Sequence, residues 1–275
     1  MRCFDIDEKL NDLRSLSWRE KSSSSGTAGM FLKAKEQKNG KLYYYKLSNY
    51  DSYRGIFGHE CVNEIIVCRL LNLLGIGHLQ YKLIHAVINV DGKEYETRLC
   101  RSENFRKPGE RKQALDVFYD LHKEEGESPL EMCERFGFGS YVRQMMLADF
   151  LCINRDRHGA NIEVLISENS VRLAPLFDNG ISFLAPLEGR PELYAGFNPM
   201  DDLNTNNYLG SRSLFRNLEL LDPLPQVDRL QPAWKDELFS GLENVIEEPL
   251  KEKIWSIVSE RWNYYEKICD KKQII

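Results

Sequence analysis

The chain has 275 residues, 42% of them hydrophobic and 29% charged, with a formal net charge of −5. That is enough apolar material for a core, in one large domain or two modest ones, and it argues against a general polyanion binder while leaving room for a local basic cleft. The N-terminal MRCFDIDEKL lacks the apolar centre of a secretory signal, and the longest apolar runs are broken by Arg, Asp or Asn. The expected compartment is therefore the cytoplasm, with export as an effector left open.

Seven cysteines (Cys3, Cys61, Cys68, Cys100, Cys133, Cys152 and Cys269) are scattered without a C-x-x-C pair. They read as small buried hydrophobes in a reducing compartment, and no zinc site is expected.

In chain order, SSSSGTAG (22–29) is a run of small and hydroxyl residues. MFLKAKE and KLYYYKLS then flank Asn39-Gly40, which predicts a β-hairpin. Val62, Ile65, Ile66, Leu70, Leu73 and Leu74 recur at helical steps until Gly75 and Gly77. Strands at 79–90 and 93–101 surround Asp91-Gly92.

From residue 111 the pattern turns helical, with helices expected at 111–123, 129–136 and 138–152. Short strands at 162–166 and 171–177 follow, then a Gly/Pro/Asn-rich stretch at 185–210 and helices at 212–218, 232–241 and 247–269. The expected fold is α+β and two-lobed, with a small β-rich N-lobe over 1–103, a larger helical C-lobe over 104–275, and a ligand cleft between them.

The octapeptide NRDRHGAN (154–161) is dense in chemistry. If the strands on either side of residues 167–170 pair antiparallel, Asn161 and Asp178 meet at one end of the hairpin. Asp156 lies five residues before Asn161 on the loop that feeds it. Three oxygen-bearing side chains then converge.

Transfer of a phosphoryl group from ATP uses such a set: one carboxylate to orient the attacking hydroxyl, and an amide and a second carboxylate to hold Mg²⁺. Protein kinases space the base and the amide as D-x-x-x-x-N, the spacing of Asp156 and Asn161, and place the second ligand in D-F-G, here Asp178-Asn179-Gly180. Taken singly, such residues are ordinary turn formers.

Ser25, Gly26, Thr27, Ala28 and Gly29 are small enough to let backbone N–H groups approach phosphates. Lys41 falls at the turn and Lys33 on the earlier strand, so Lys46 is the candidate phosphate-binding lysine. Its carboxylate partner is Glu64, with Glu60 one turn away as the reserve. His158 lacks a metal-ligand neighbour and reads as a buttress of the loop. Arg155 reads as solvent-exposed, and Arg157 either meets phosphate or substrate or faces solvent.

With these stretches in view, the chain resembles the HipA-like serine/threonine kinases, bacterial toxin-type enzymes with the two-lobed kinase fold. The matching stretches are GHECVNEIIVCRLLNLLGI, QMMLADFLCINRDRHGANIEVL and RLAPLFDNGISF, within residues 22–184. Phosphoinositide kinases carry a looser likeness in their D-R-H-x-x-N loop.

The resemblance implies Asp156 as base, Asn161 and Asp178 as Mg²⁺ ligands, Lys46 with Glu64 as the phosphate-binding pair and Gly26 to Gly29 as the phosphate loop. It sets adenine near Leu99, Arg101 and Glu103. The implied function is ATP- and Mg²⁺-dependent phosphorylation of a protein Ser or Thr by a monomer, without nucleic-acid or membrane binding.

Autophosphorylation is expected at Ser22 to Ser25, where added negative charge repels ATP. Full-length HipA toxins carry an extra N-terminal region that contributes to antitoxin binding, so the compact members are the closer comparison and an antitoxin-type partner stays open. The rivals are a small-molecule or lipid phosphotransferase on the same fold, and a nucleotide-binding pseudokinase scaffold.

Overall fold

A computed structural model describes residues 5–20, 31–187, 190 and 192–273. The chain opens with β1 (Ile6–Asp12), β2 (Arg19–Glu20), β3 (Phe31–Lys38), β4 (Lys41–Asp51) and β5 (Gly55–Phe57), then α1 (Glu60–Leu73) and the long hairpin of β6 (Tyr81–Val90) and β7 (Lys93–Glu103). These strands form a seven-stranded sheet in the order β1-β6-β7-β4-β3-β2, with β5 paired to β4.

The hairpin turns have a local cause. Asn39-Gly40 and Asp91-Gly92 all adopt positive φ, the conformation a tight hairpin requires and these residue types tolerate. The turns set the register, which pairs Lys46 with Lys33 on one side and with Cys100 on the other. The sheet also holds β1, which runs parallel to β6 at its edge. Its IDEKLND sequence has no clean alternation, so nothing local announces a strand.

The second half comprises β8 (Arg111–Ala114), α2 (Leu115–His122), α3 (Pro129–Arg135), α4 (Gly139–Cys152), β9 (Asp156–Arg157), β10 (Glu163–Ile166) and β11 (Val171–Leu173). After these come α5 (Glu192–Gly196), β12 (Asn206–Asn207), α6 (Leu214–Glu219), α7 (Trp234–Phe239) and α8 (Glu248–Gln273). Among the described residues no helix is long and apolar enough to cross a membrane.

Two expected elements change. Residues 111–114 are not the start of a helix: they pair with β10 as the edge of a three-stranded sheet, and the helix begins at Leu115. A partner 50 residues away decides this, not local propensity. The strand expected at 171–177 ends at Leu173. Pro175 then interrupts ladder pairing, and Leu176 instead bridges to His78, its carbonyl accepting from the Leu79 amide at 2.9 Å.

α1 is buried on nearly every side. One side packs on β4, β6 and β7, and α7 also contacts the helix. Its residues join those of α4, α6 and α8 in one large apolar cluster, while Leu32, Leu47, Ile84, Ile88 and Leu99 build a second cluster on the sheet. A helix buried on nearly every side needs polar partners for Glu60, Asn63, Glu64 and Arg69, which are buried with its apolar residues.

Arg69 fixes α1 to what surrounds it. Its guanidinium holds the Asp5 carboxylate at 2.7 and 2.9 Å and donates to the carbonyls of Leu238 at 2.9 Å and Ser240 at 2.8 Å. Loss of a largely buried, multiply bonded guanidinium strands those acceptors. Arg69→Met is expected to lower unfolding free energy by about 2–4 kcal/mol, read from urea midpoints, and an unchanged midpoint would show that α1 is held by apolar packing alone.

Candidate active site

The sheet register aims Lys46 inward from β4, where it is 8% exposed. Its ammonium lies 3.0 Å from Glu64 Oε1 on α1 and 2.5 Å from Asp178 Oδ1 on the segment after β11. Glu64, fully buried, also accepts the Asn179 backbone N–H through Oε2 at 2.9 Å. Three separated stretches of chain thus meet at one ammonium. Burial pulls the Lys46 pKa down, but the charges of Asp178 and Glu64 outweigh it and leave the pKa well above the ordinary lysine value. Burial pushes Asp178 up, yet Lys46 and Lys33 reverse this and hold its carboxyl below the usual range.

Glu64, and not Glu60, is the partner of Lys46. Glu60 instead accepts from the side chain of Asn49, and burial raises its carboxyl above the ordinary value. Gly180 keeps this corner open, because a Cβ there would lie 3.2 Å from Glu60 Cβ and 3.3 Å from Lys46 Nζ.

Asp156 and Asn161 lie on the loop after α4. Asn161 donates its side-chain N–H to the Asp156 carbonyl at 2.8 Å, which leaves its amide oxygen as the atom suited to a cation. Burial raises the Asp156 carboxyl above the ordinary aspartate value; His158 opposes this and Asp178 adds to it. Asp156 therefore feels the charge of Asp178. Asn161 and Asp178 are not joined by continuous hairpin pairing, as the sequence suggests, because β11 stops at Leu173 and the chain crosses to His78 before reaching Asp178. His158 Nε2 is 3.8 Å from Asp156 Oδ1, so it faces that carboxylate.

Arg157 corrects the sequence reading most clearly, since it neither faces solvent nor awaits a phosphate. It is fully buried, pairs with the buried Asp149 of α4 at 2.9 Å, and donates to Phe177 O at 2.7 Å and Asn179 Oδ1 at 2.6 Å. It fastens the loop of Asp156 to the segment of Asp178. Asn154 adds a bond to Asp149 at 2.8 Å. Arg155 is half-buried and donates to Asn204 O at 3.1 Å, so it is not the freely solvated residue expected. Backbone strain gathers here too: Ile153, Asp178 and Phe183 hold positive φ, and among the described residues the two other such non-glycine residues, Asn39 and Asp91, sit in the hairpin turns.

The cleft beside this cluster is lined by Lys33, Lys46, Tyr81, Cys100, Phe105 and Asp178, among others. Leu99 and Arg101, expected against adenine, do not line it. Period-two alternation turns them away: Leu99 is fully buried in the second apolar cluster, and the Arg101 guanidinium lies 5.0 Å from the Tyr43 ring centre. Glu103 does line the cleft and pairs with Lys41 at 2.9 Å, while Cys100, Ser102, Asn104 and Arg106 take the places expected of the other two.

Lys33 is the residue that strand order alone does not reveal. It sits directly opposite Lys46 and 3.8 Å from Asp178 Oδ2. Like charges directly opposite are destabilising, so the pair suits a place where anions gather. Ser25, Gly26, Thr27, Ala28 and Gly29, and the expected modification sites Ser22 to Ser25, lie outside the described residues.

The donor set fits the expected metal. Asn161 and Asp178 offer hard oxygen ligands, and Asp178 is held ionised. Mg²⁺ is commonly bound by one or two such groups together with substrate phosphates.

Arg157→Met leaves Asp149 charged and buried without its partner, which is expected to lower stability by roughly 3–5 kcal/mol. The double variant with Asp149→Asn should recover part of that loss in urea unfolding. Strict additivity of the two single losses would show that they do not act as a pair.

No family model and no curated protein matches the chain. Among solved structures, the proinflammatory kinase CtkA of Helicobacter pylori aligns over 96% of this chain and 100% of its own, at 16% identity and a TM-score of 0.60. HipA of Shewanella oneidensis MR-1, solved with HipB and operator DNA, covers 90% of this chain and 66% of its own, at 15% identity and a TM-score of 0.45. The likeness to CtkA is one of fold, and with the sheet, helices and cleft described above it gives this chain the α+β, two-lobed architecture of a kinase.

Proposed function

We propose that the chain is an ATP- and Mg²⁺-dependent protein serine/threonine kinase. The observation that carries this reading is the ammonium of Lys46 set between Glu64 and Asp178.

The chemistry follows from these groups. A substrate hydroxyl oxygen bonds to the γ-phosphorus while the bond from that phosphorus to its bridging oxygen breaks, releasing ADP. The hydroxyl proton passes to the Asp156 carboxylate, which also orients the attack. Lys46, held by Glu64, turns from Asp178 to the phosphates, and Lys33 adds a second positive charge beside it. Asn161 and Asp178 would hold Mg²⁺, which would supply charge neutralisation for the phosphates. Most of the catalysis is positioning and electrostatics.

The substrate is a protein hydroxyl in this reading, and the chain acts as a cytoplasmic monomer. Incubation with γ-labelled ATP and generic protein substrates tests it. Wild type should label protein, and Asp156→Asn should lower transfer at least about a hundredfold with nucleotide binding kept. Label found only on small alcohols, or no transfer by wild type despite nucleotide binding, would contradict it.

The pH profile offers a separate check. The base works ionised and its carboxyl is raised above the ordinary 3.8. Activity should therefore rise with pH along an acid limb centred above that value, and Asp156→Asn should lose the limb with the activity. A limb at or below the ordinary carboxylate value would contradict the assignment.

A further inference from the structure

Two thiols converge on the backbone of Lys46, and the chemistry above uses neither. Cys100 stands directly opposite Lys46 in the sheet and lines the cleft. α1 brings Cys61 to the same point. The Cys61 Sγ donates to the Lys46 carbonyl at 3.0 Å, and the Cys100 Sγ reaches that oxygen at 3.8 Å. The two thiols also hydrogen-bond each other.

Cys61 differs from the other buried thiols. Burial pushes Cys68, Cys133 and Cys152 up. Burial pushes Cys61 up too, but the Cys100 thiol, the Ser48 hydroxyl and the Lys46 charge outweigh it and leave Cys61 below the ordinary thiol value. The thiolate is the nucleophile in sulfur chemistry. A thiol of this kind with a second sulfur beside it is the arrangement on which reversible oxidation runs. Both sulfurs are buried, so the cleft that Cys100 lines is the route by which a small oxidant reaches them.

We propose that Cys61 and Cys100 form a reversible disulfide, with a peroxide as oxidant, and that this bond disables the site around Lys46. The Cys61 thiolate attacks one peroxide oxygen. The O–O bond breaks, leaving a sulfenic acid and a hydroxide that takes up the Cys61 proton as water. The Cys100 sulfur then attacks the Cys61 sulfur, the S–O bond breaks, and a second water leaves with the Cys100 proton. The two thiols lose two electrons and the peroxide gains them. A disulfide holds its sulfurs about 2 Å apart, so it draws α1 toward β7. Glu64 lies one turn along α1 from Cys61 and moves with it relative to Lys46. A misplacement of about 1 Å can cost roughly a hundredfold in rate. Formation of the disulfide is independent of the kinase reading, whereas its effect on phosphoryl transfer rests on that reading.

The test treats the full chain, freed of reductant, with hydrogen peroxide. Peptide mapping without reduction should recover the Cys61 and Cys100 peptides joined, and dithiothreitol should separate them. Transfer from γ-labelled ATP to casein should fall at least about tenfold and return with dithiothreitol. Cys61→Ser and Cys61→Ala, each measured against its own untreated sample, should lose no transfer to peroxide. A map without the joined peptides, or inactivation of both variants as fast as wild type, overturns the inference. Joined peptides with undiminished transfer overturn the effect on Lys46. No transfer by untreated wild type overturns the kinase reading instead, and the peptide map still decides the disulfide.

Discussion

One ammonium organises the cleft. Lys46 comes from the sheet, Glu64 from the helix between β5 and β6, and Asp178 from the segment after β11. Lys46 and Glu64 are buried and Asp178 partly so, and isolated charges are strongly disfavoured away from water. Each is stable there only because the other two are present. Sheet register, helix position and the path after Leu173 are thereby bound to one geometry, and a shift in any of them would leave a buried charge unpaired.

The surrounding structure serves that geometry. Arg69 ties α1 to Asp5 and to the end of α7, so Glu64 is carried on a helix held from two sides. Arg157 and Asp149 join the loop of Asp156 to the segment of Asp178 inside the protein. Three left-handed residues, Ile153, Asp178 and Phe183, mark where the backbone is bent against its preference on either side of this junction. The cleft between is more basic than a single lysine would make it, since Lys33 stands opposite Lys46.

Much of this was legible in the sequence, and the parts that were not share a physical reason. Asn39-Gly40 and Asp91-Gly92 announce their hairpins because turn chemistry is local. The helix carrying Glu64 shows in its apolar spacing, and the Asp156 to Asn161 spacing survives because it lies within one loop. Residues 111–114 pair with a strand far along the chain, and β1 is an edge strand with polar content, so neither has a local signal. The buried state of Arg157 depends on Asp149, on another element, and an arginine in a polar loop reads as exposed until that partner is known. Leu99 and Arg101 were misjudged for a simpler reason: within β7 the inward face falls on Cys100 and Ser102, and the sheet partner that fixes which face is inward is not written in the strand itself.

The most direct measurement is a crystal structure of the chain with Mg²⁺ and a non-hydrolysable ATP analogue. The expected result is a metal held by Asn161 and Asp178, the Lys46 ammonium on the phosphates with Glu64 still behind it, and the terminal phosphate facing Asp156. A nucleotide bound elsewhere, or a Lys46–Asp178 pair left intact with the triphosphate outside the cleft, would contradict the assignment of this cluster as the catalytic centre.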